Sequence, residues 1–469
     1  MNKTFKLSKY NFFINDNEEN LIIYNFLTGI NSITRVVRSD VDDFKKTFFT
    51  DKEISINSST DYTKVIDSLV KSGILIESNI DENVLFDSKR YDQIYDSKLT
   101  LTILPTGNCN FKCPYCFEAH QHFCRDSMTI NNQNALLKYV QRSIPNHKAL
   151  HISWFGGEPL LSIDVIRRLS EKFLRICGTR HLPYSADIIT NGFFLNDAVF
   201  DMLYKLKVYE YMITIDGFKE QHDKRRFTRN GKGSYDTIIN NLLRIHQNKE
   251  YKFAKIMIRV NMSQGFLDKS DEFIEFLVST FLDDPRFKVI FVPVVKFKGS
   301  EFPDKDIYSD HNKLFLHLHK NKLYESNIYS HEMKIASIVP QLRCSSSLKN
   351  SYVISPDLQV YKCNAHYDLD ENKLGKINEA GELLIDDIRH KKWYLTSKFI
   401  KQVSENSNDC TNCFYSPCCY KVDSGCPISY LKSNQNDMPC PLNNEEERKN
   451  IIETILYVAN TYPCSEIKF

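Results

Sequence analysis

Neither sign of charge dominates this sequence. Lys and Arg total 61, Asp and Glu total 59, and the formal net charge is +2. A balance so near zero removes the global electrostatic reason to expect nucleic acid or an anionic membrane as partner. Long hydrophobic runs are also missing. Apolar stretches such as Val289–Val295 fall far short of the roughly 20 residues that span a bilayer. Residues Met1 to Tyr10 hold no apolar core of signal-peptide length, and Cys464 stands outside the position a prenylation box requires. Tandem repeats and low-complexity tracts are absent too. The expectation is a cytoplasmic protein with no nucleic-acid and no membrane partner. At 469 residues, 42% hydrophobic and 26% charged, the chain is too apolar for disorder and long enough for roughly three domains.

Against these absences stand 14 cysteines, and they are not scattered. Cys109, Cys113, Cys116 and Cys124 crowd one segment; Cys410, Cys413, Cys418, Cys419, Cys426 and Cys440 crowd another. Cys177, Cys344, Cys363 and Cys464 stand apart. A reducing compartment argues against a disulfide framework, so clustered thiols point first to metal ligands.

The texture of the chain changes twice. Residues 1–90 suggest a small winged-helix-like module: strand runs at Tyr10–Ile14 and Leu21–Tyr24, helical spacing at Val41–Phe49 and Tyr62–Lys71, a strand at Ile74–Ile76. The polar run Glu77–Ser97 reads as a linker. Over 95–310, apolar runs at Leu99–Leu104, His151–Phe155, Ala186–Thr190, Tyr209–Ile215, Ile256–Val260 and Val289–Val295 alternate with amphipathic stretches. Such alternation implies an α/β fold, a parallel sheet with crossover helices. Six repeats are two short of a closed barrel, so the expectation is a partial (β/α)6 barrel with its active residues at strand C-terminal ends. Residues 335–445, rich in Cys, Ser, Asn, Asp and Pro, read as a metal-stapled domain with a small core, and 446–469 as a terminal helix and tail.

Cys109-Asn-Phe-Lys-Cys113-Pro-Tyr-Cys116 follows the first strand directly. Three thiolates can hold three irons of a cubane 4Fe–4S cluster and leave the fourth open. A zinc knuckle is the competing reading, with His120 or His122 as further ligands, and spacing alone leaves both open. Three further segments sit in register with the loop. Gly156-Gly157-Glu158-Pro159 follows the second strand, Thr190-Asn191-Gly192 ends the third, and Thr214-Ile215-Asp216-Gly217 with His222-Asp223-Lys224-Arg225-Arg226 follows the fourth.

Together these motifs resemble the radical S-adenosylmethionine superfamily, specifically its peptide-modifying members with a C-terminal SPASM domain. Tyr115 occupies the aromatic position of the family's C-x3-C-x-φ-C loop. The resemblance implies that Gly156, Gly157, Glu158 and Pro159 approach the methionine part of the cofactor, that Thr214 meets the ribose, and that Arg226 pairs with the carboxylate. Asn191 and Asn261 are further candidates for the same pocket. The SPASM pattern matches Cys344 and Cys363, with Leu358 where a glycine is expected, then Cys410, Cys413, Cys419, Cys426 and Cys440. It implies two auxiliary 4Fe–4S clusters. One is held by Cys410, Cys413, Cys419 and Cys440, with Cys418 as an alternative to Cys419. The other is held in part by Cys344, Cys363 and Cys426. A single zinc-ribbon-like site is the competing reading of Cys410, Cys413, Cys419 and Cys426.

As for activity, the resemblance implies a maturase that installs a thioether or carbon–carbon cross-link in a ribosomally synthesised precursor peptide. Flavodoxin or ferredoxin reduces the first cluster, S-adenosylmethionine is cleaved, and the 5′-deoxyadenosyl radical removes a substrate hydrogen. The N-terminal module resembles the element that binds a leader peptide as an added strand. Two alternatives stand beside it: an anaerobic sulfatase maturase, and a non-enzymatic, zinc-stapled scaffold.

Overall fold

The computed structural model describes residues 4–50, 54–55, 62–263, 266, 269–281, 283–294, 302–303, 344–394, 413–419, 440–461 and 464–467. The chain divides into two compact units. One takes Asp96–Ser330 and Lys349–Lys391; the other takes Met1–Tyr95, His331–Leu348 and Lys392–Phe469.

All six strands expected from the alternation are present in the first unit: β1 (Lys98–Ile103), β2 (Ala149–Trp154), β3 (Tyr184–Thr190), β4 (Val208–Thr214), β5 (Lys255–Met262) and β6 (Phe287–Pro293). They pair in parallel and in chain order. Leu99, Leu101 and Ile103 of β1 are buried, while Lys98, Thr100 and Thr102 are not, and β2 repeats the pattern. Crossover helices α1 (Ile130–Ser143), α2 (Ile163–Gly178), α3 (Asp197–Lys205), α4 (Tyr235–Gln247) and α5 (Ser270–Phe281) connect successive strands. Their apolar stripes are buried: Val165, Ile166, Leu169 and Phe173 on α2, for example. Local capping marks helix starts, as where the Thr129 side chain accepts from Asn132 N at the head of α1. Among the described residues the sheet stays open, which is the partial barrel expected from six repeats.

The sheet does not stop at β1. Strand β7 (Ser351–Ile354) adds to it in parallel, and β8 (Gln359–Tyr361), β9 (Lys373–Ile377) and β10 (Leu383–Ile385) follow antiparallel. Residues 349–391 therefore pack with the central unit, a placement that differs from the single domain expected over 335–445. The reason is edge pairing: β1 ends the six-strand run with an open row of peptide groups, and β7 takes it. Leu358, in the turn between β7 and β8, has φ +67°, the left-handed conformation that a glycine adopts freely. Leucine here keeps the turn and is almost fully buried.

In the second unit, strands Leu21–Asn25 and Thr34–Val36 lie inside a four-stranded sheet whose outer members are Asn11–Asn15 and the distant Ser465–Ile467. A three-stranded sheet joins Ile54–Ser55, Thr4–Leu7 and Leu75–Glu77. The expected linker is partly a helix, Glu82–Ile94. Phe86 and Ile94 bury apolar area on it, and the Glu82 carboxylate accepts from Ser8 Oγ at 2.5 Å and Lys9 N at 3.0 Å. No helix among the described residues is long and apolar enough to cross a membrane.

Candidate active site

The loop between β1 and α1 carries Cys109, Cys113 and Cys116, and neighbouring strand ends clamp it. Phe111 bridges to Thr228, Lys112 N donates to Phe227 O at 3.0 Å, and Arg229 N donates to Asn110 O at 2.8 Å. Arg125 ties the loop to itself, donating to the carbonyls of Gly107 (3.1 Å), Glu118 (2.5 Å) and Gln121 (2.9 Å). The three cysteines are unpaired thiols that feel one another's charge and that of Arg226. Burial pushes the Cys109 thiol up to about 11 and the Cys113 thiol up to about 12, and raises Cys116 as well. A thiol so placed ionises when a cation replaces its proton. Among the described residues, no three His, Cys, Asp or Glu side chains converge closely enough for one metal ion. Three thiols on one loop are a donor set of the kind that holds a thiolate-ligated cluster.

The turn after β2 lies directly on this loop. Gly157 has φ +29°, and a Cβ there would fall 2.1 Å from Asn108 O. Glu158 N then donates to Asn108 O at 2.8 Å. The Glu158 carboxylate is fully buried and accepts from Leu160 N (3.0 Å), Thr190 Oγ1 (2.7 Å) and Asn191 N (2.7 Å). It joins the end of β2 to the end of β3, and Pro159 opens the short turn behind it. Asn191 Nδ2 reaches back to Asn110 Oδ1 at 2.8 Å.

Side chains far apart in sequence converge on the Tyr115 hydroxyl. It donates to Asp216 Oδ2 in a short hydrogen bond. Arg226 Nη1 donates to it at 3.0 Å and Asn261 Nδ2 at 3.4 Å. Asn261 N donates to Asp216 Oδ1 at 3.1 Å, and Arg259 Nε donates to Asn261 Oδ1 at 2.9 Å. Thr214 is buried at the end of β4, paired in register with Arg259. Tyr115, Arg226 and Asn261 are thus brought together, while Asp216 and Arg259 are additions that sequence reasoning missed. Asp216 had a signal, its place in the Thr-Ile-Asp-Gly strand end; Arg259 had none. Arg226 lies over the Phe111 ring, 5.7 Å from its centroid, and its buried Nε has no hydrogen-bond partner. Burial also pushes the Glu118 carboxyl, two residues beyond Cys116, up to about 7.

The described cysteines of the SPASM pattern fall in both units. Cys344 is exposed and belongs to one unit; Cys363 belongs to the other. Cys413 and Cys440 are partly buried, whereas Cys418 and Cys419 are buried. Cys418 Sγ donates to Phe26 O at 3.8 Å in a core shared with Tyr10, Tyr24 and Tyr415. Cys410 and Cys426 lie outside the described residues.

Residues 103–276, which contain this loop and its clamps, match the radical SAM superfamily. The chain carries a radical SAM domain. It is 28% identical over 392 residues to the cysteine-type anaerobic sulfatase-maturating enzyme of Clostridium novyi (strain NT), covering 77% of this chain and 98% of that one. The radical SAM cyclopropyl synthase TigE of Paramaledivibacter caminithermalis is 24% identical over 217 residues, 42% of this chain and 44% of that one. The solved structure of native anSMEcpe with bound AdoMet and Kp18Cys peptide shares the fold: TM-score 0.57, 19% identity, 78% of this chain and 100% of that one. A radical SAM enzyme uses S-adenosylmethionine and a 4Fe–4S cluster, and the site fits both. Three unpaired thiols share one clamped loop, and a buried guanidinium nearby keeps an N–H free for an anionic group.

Proposed function

We propose that this protein is a SPASM-type radical SAM maturase that installs a thioether or carbon–carbon cross-link in a ribosomally synthesised precursor peptide. The observation that carries the proposal is the strand Asn11–Asn15. It is the outer member of its sheet among the described residues, in a unit outside the radical SAM domain. Phe26 N donates to Tyr10 O, so by the antiparallel alternation the peptide groups of Phe13 and Asn15 face outward, while Asn11 N already donates to Ser8 O at 3.2 Å. A leader peptide adds there as a further strand. Leu21–Asn25, the other strand expected at this edge, lies inside the sheet.

Cys109, Cys113 and Cys116 hold the catalytic cluster. Together with S-adenosylmethionine it supplies, when bound, one-electron cleavage of a sulfonium and hydrogen abstraction from the substrate. Arg226 balances the cofactor carboxylate, and its planar fork suits that group. Asp216 and Asn261 hold the Tyr115 hydroxyl in place. Gly156 and Gly157 allow the backbone to approach, Thr214 and Asn191 flank the pocket, and Phe111 set edge-on to Phe193 helps exclude water. Glu158 acts through position, since protein donors already occupy its oxygens. Cys410, Cys413, Cys419 and Cys440 hold one auxiliary cluster, and Cys344, Cys363 and Cys426 hold part of a second. Flavodoxin or ferredoxin is the electron donor.

The test is anaerobic incubation of reduced enzyme with S-adenosylmethionine and the precursor encoded beside it, read by mass spectrometry. Loss of two hydrogens is expected; an unchanged peptide with full cofactor turnover counts against the reading. A sulfatase-maturase activity is the second reading, favoured by the match to 98% of the Clostridium novyi enzyme. Deleting residues 1–90 cannot separate the two, because Tyr10, Tyr24 and Phe26 share a core with Tyr415, Ile451 and Ile455. Asn15→Pro separates them: it removes an outward N–H at an exposed position. It should raise KM for the leader-bearing precursor and leave a leaderless peptide untouched; a sulfatase-type substrate should not respond.

A further inference from the structure

Ten residues before Arg226 lies Asp216, and the segment between them is held by a buried histidine. His222 is fully inaccessible to solvent. Asp216 N donates to its Nδ1 at 3.2 Å, so Nδ1 is the bare nitrogen and Nε2 carries the proton. Nε2 lies 3.0 Å from Ser234 Oγ, and that hydroxyl donates to Arg226 O at 2.6 Å. Burial holds the ring well below the usual histidine range, so it stays neutral and the tautomer does not change. The next residue completes the fastening. Asp223 Oδ1 accepts from Ser234 N at 2.8 Å and Tyr235 N at 2.9 Å, at the head of α4. A side chain at Gly233 would put its Cβ 2.2 Å from Asp223 Oδ2.

We infer that His222 is a positioning residue for S-adenosylmethionine, joining the Asp216 backbone to the Arg226 backbone through Ser234 in one fixed tautomer. The inference rests on the proposed pairing of Arg226 with the cofactor carboxylate. His222 touches no ligand. It sets where the guanidinium and the Asp216–Tyr115 pair stand relative to each other. Outer partners that orient metal ligands typically govern about 10- to 100-fold in metal affinity or activity, and the lower end of that scale is the expectation here.

The experiment measures S-adenosylmethionine affinity of the cluster-loaded, unreduced enzyme by equilibrium dialysis, beside its iron content and melting temperature. His222→Asn keeps an acceptor near Nδ1 and loses the donor to Ser234. His222→Gln places an amide donor near Nε2. Ser234→Ala removes the link with the smallest change in volume, and so serves if the histidine variants fold poorly. We expect His222→Asn and Ser234→Ala to weaken binding by about tenfold, and His222→Gln, which keeps the donor to Ser234 but loses the acceptor for Asp216 N, to restore part of it, with iron content unchanged. On an Arg226→Ala background, His222→Asn and Ser234→Ala should add no further loss. Unchanged affinity in His222→Asn and Ser234→Ala while Arg226→Ala weakens binding overturns the inference and leaves the pairing intact. An equal loss on both backgrounds overturns it too, because the effect then bypasses Arg226. Unchanged affinity in Arg226→Ala overturns the pairing itself.

Discussion

Two cysteine-bearing turns of this chain lie in opposite kinds of surroundings. The Cys109–Cys116 loop is held by backbone hydrogen bonds to Phe227 O and from Arg229 N and by the Arg125 side chain, beside the buried charges of Arg226 and Asp216. The Cys413–Cys419 turn is set against aromatic rings: Phe414 lies 5.1 Å from Phe12 and 5.6 Å from Phe26, and Tyr415 lies 5.2 Å from Phe26, between centroids. Polar clamps fix the first loop through its backbone. Apolar packing absorbs a thiol, as it has absorbed both Cys418 and Cys419. The two turns are therefore held differently: the first by polar clamps beside buried charge, the second by its apolar core.

The sharpest way to break this contrast is Cys113→Ala. Cluster absorbance and 5′-deoxyadenosine formation should both disappear; a variant that still makes deoxyadenosine like the parent ends the reading of the first loop. Next in size is Gly157→Ala. Its methyl group meets the Asn108 carbonyl, and φ +29° disfavours any side chain. We expect at least about a tenfold loss of S-adenosylmethionine affinity, measured by dialysis, with the cluster retained. The second turn is tested by a pair. Cys419→Ala should lower iron content by about one auxiliary cluster, since the proposed site loses one of its four thiolates. Cys418→Ala should leave iron content unchanged and lower only the melting temperature. The reverse result would exchange their roles.

The smallest expected effect is a pH dependence. Glu118 has a folded-state value of about 7 against an ordinary 4.5, raised by burial. The folded state thus holds this proton more tightly than the unfolded state, and its stability falls as pH rises from about 4.5 to 7. Glu118→Gln should flatten the melting temperature over that window, read by calorimetry against the parent. An unchanged slope would place the carboxyl in contact with water.

Much of the central unit was legible because its signals are local. Strand runs with alternating burial, helices with one apolar stripe, and a cysteine loop after the first strand were all recoverable from neighbouring residues. The helix Glu82–Ile94 was not legible, because its polar surface hides Glu82 bonded to Ser8 and Lys9, 74 and 73 residues away. Nor was the tie between the chain's ends, where Ser465–Ile467 pairs with Thr34–Val36. Short segments carry no mark of which distant edge they will join.

By itself the sequence determined the order of strands and helices, the three thiols of the first loop and the glycine turn that lies against it. These follow from backbone periodicity and from conformations that only certain residues adopt cheaply. Only the tertiary structure decided that Tyr115, Asp216, Arg226 and Asn261 meet at one hydroxyl, across separations of 101 to 146 residues. It also decided that Cys418 and Cys419 share one apolar core. Such meetings depend on the register between strands and on which faces they bury, and neither is written in any one segment.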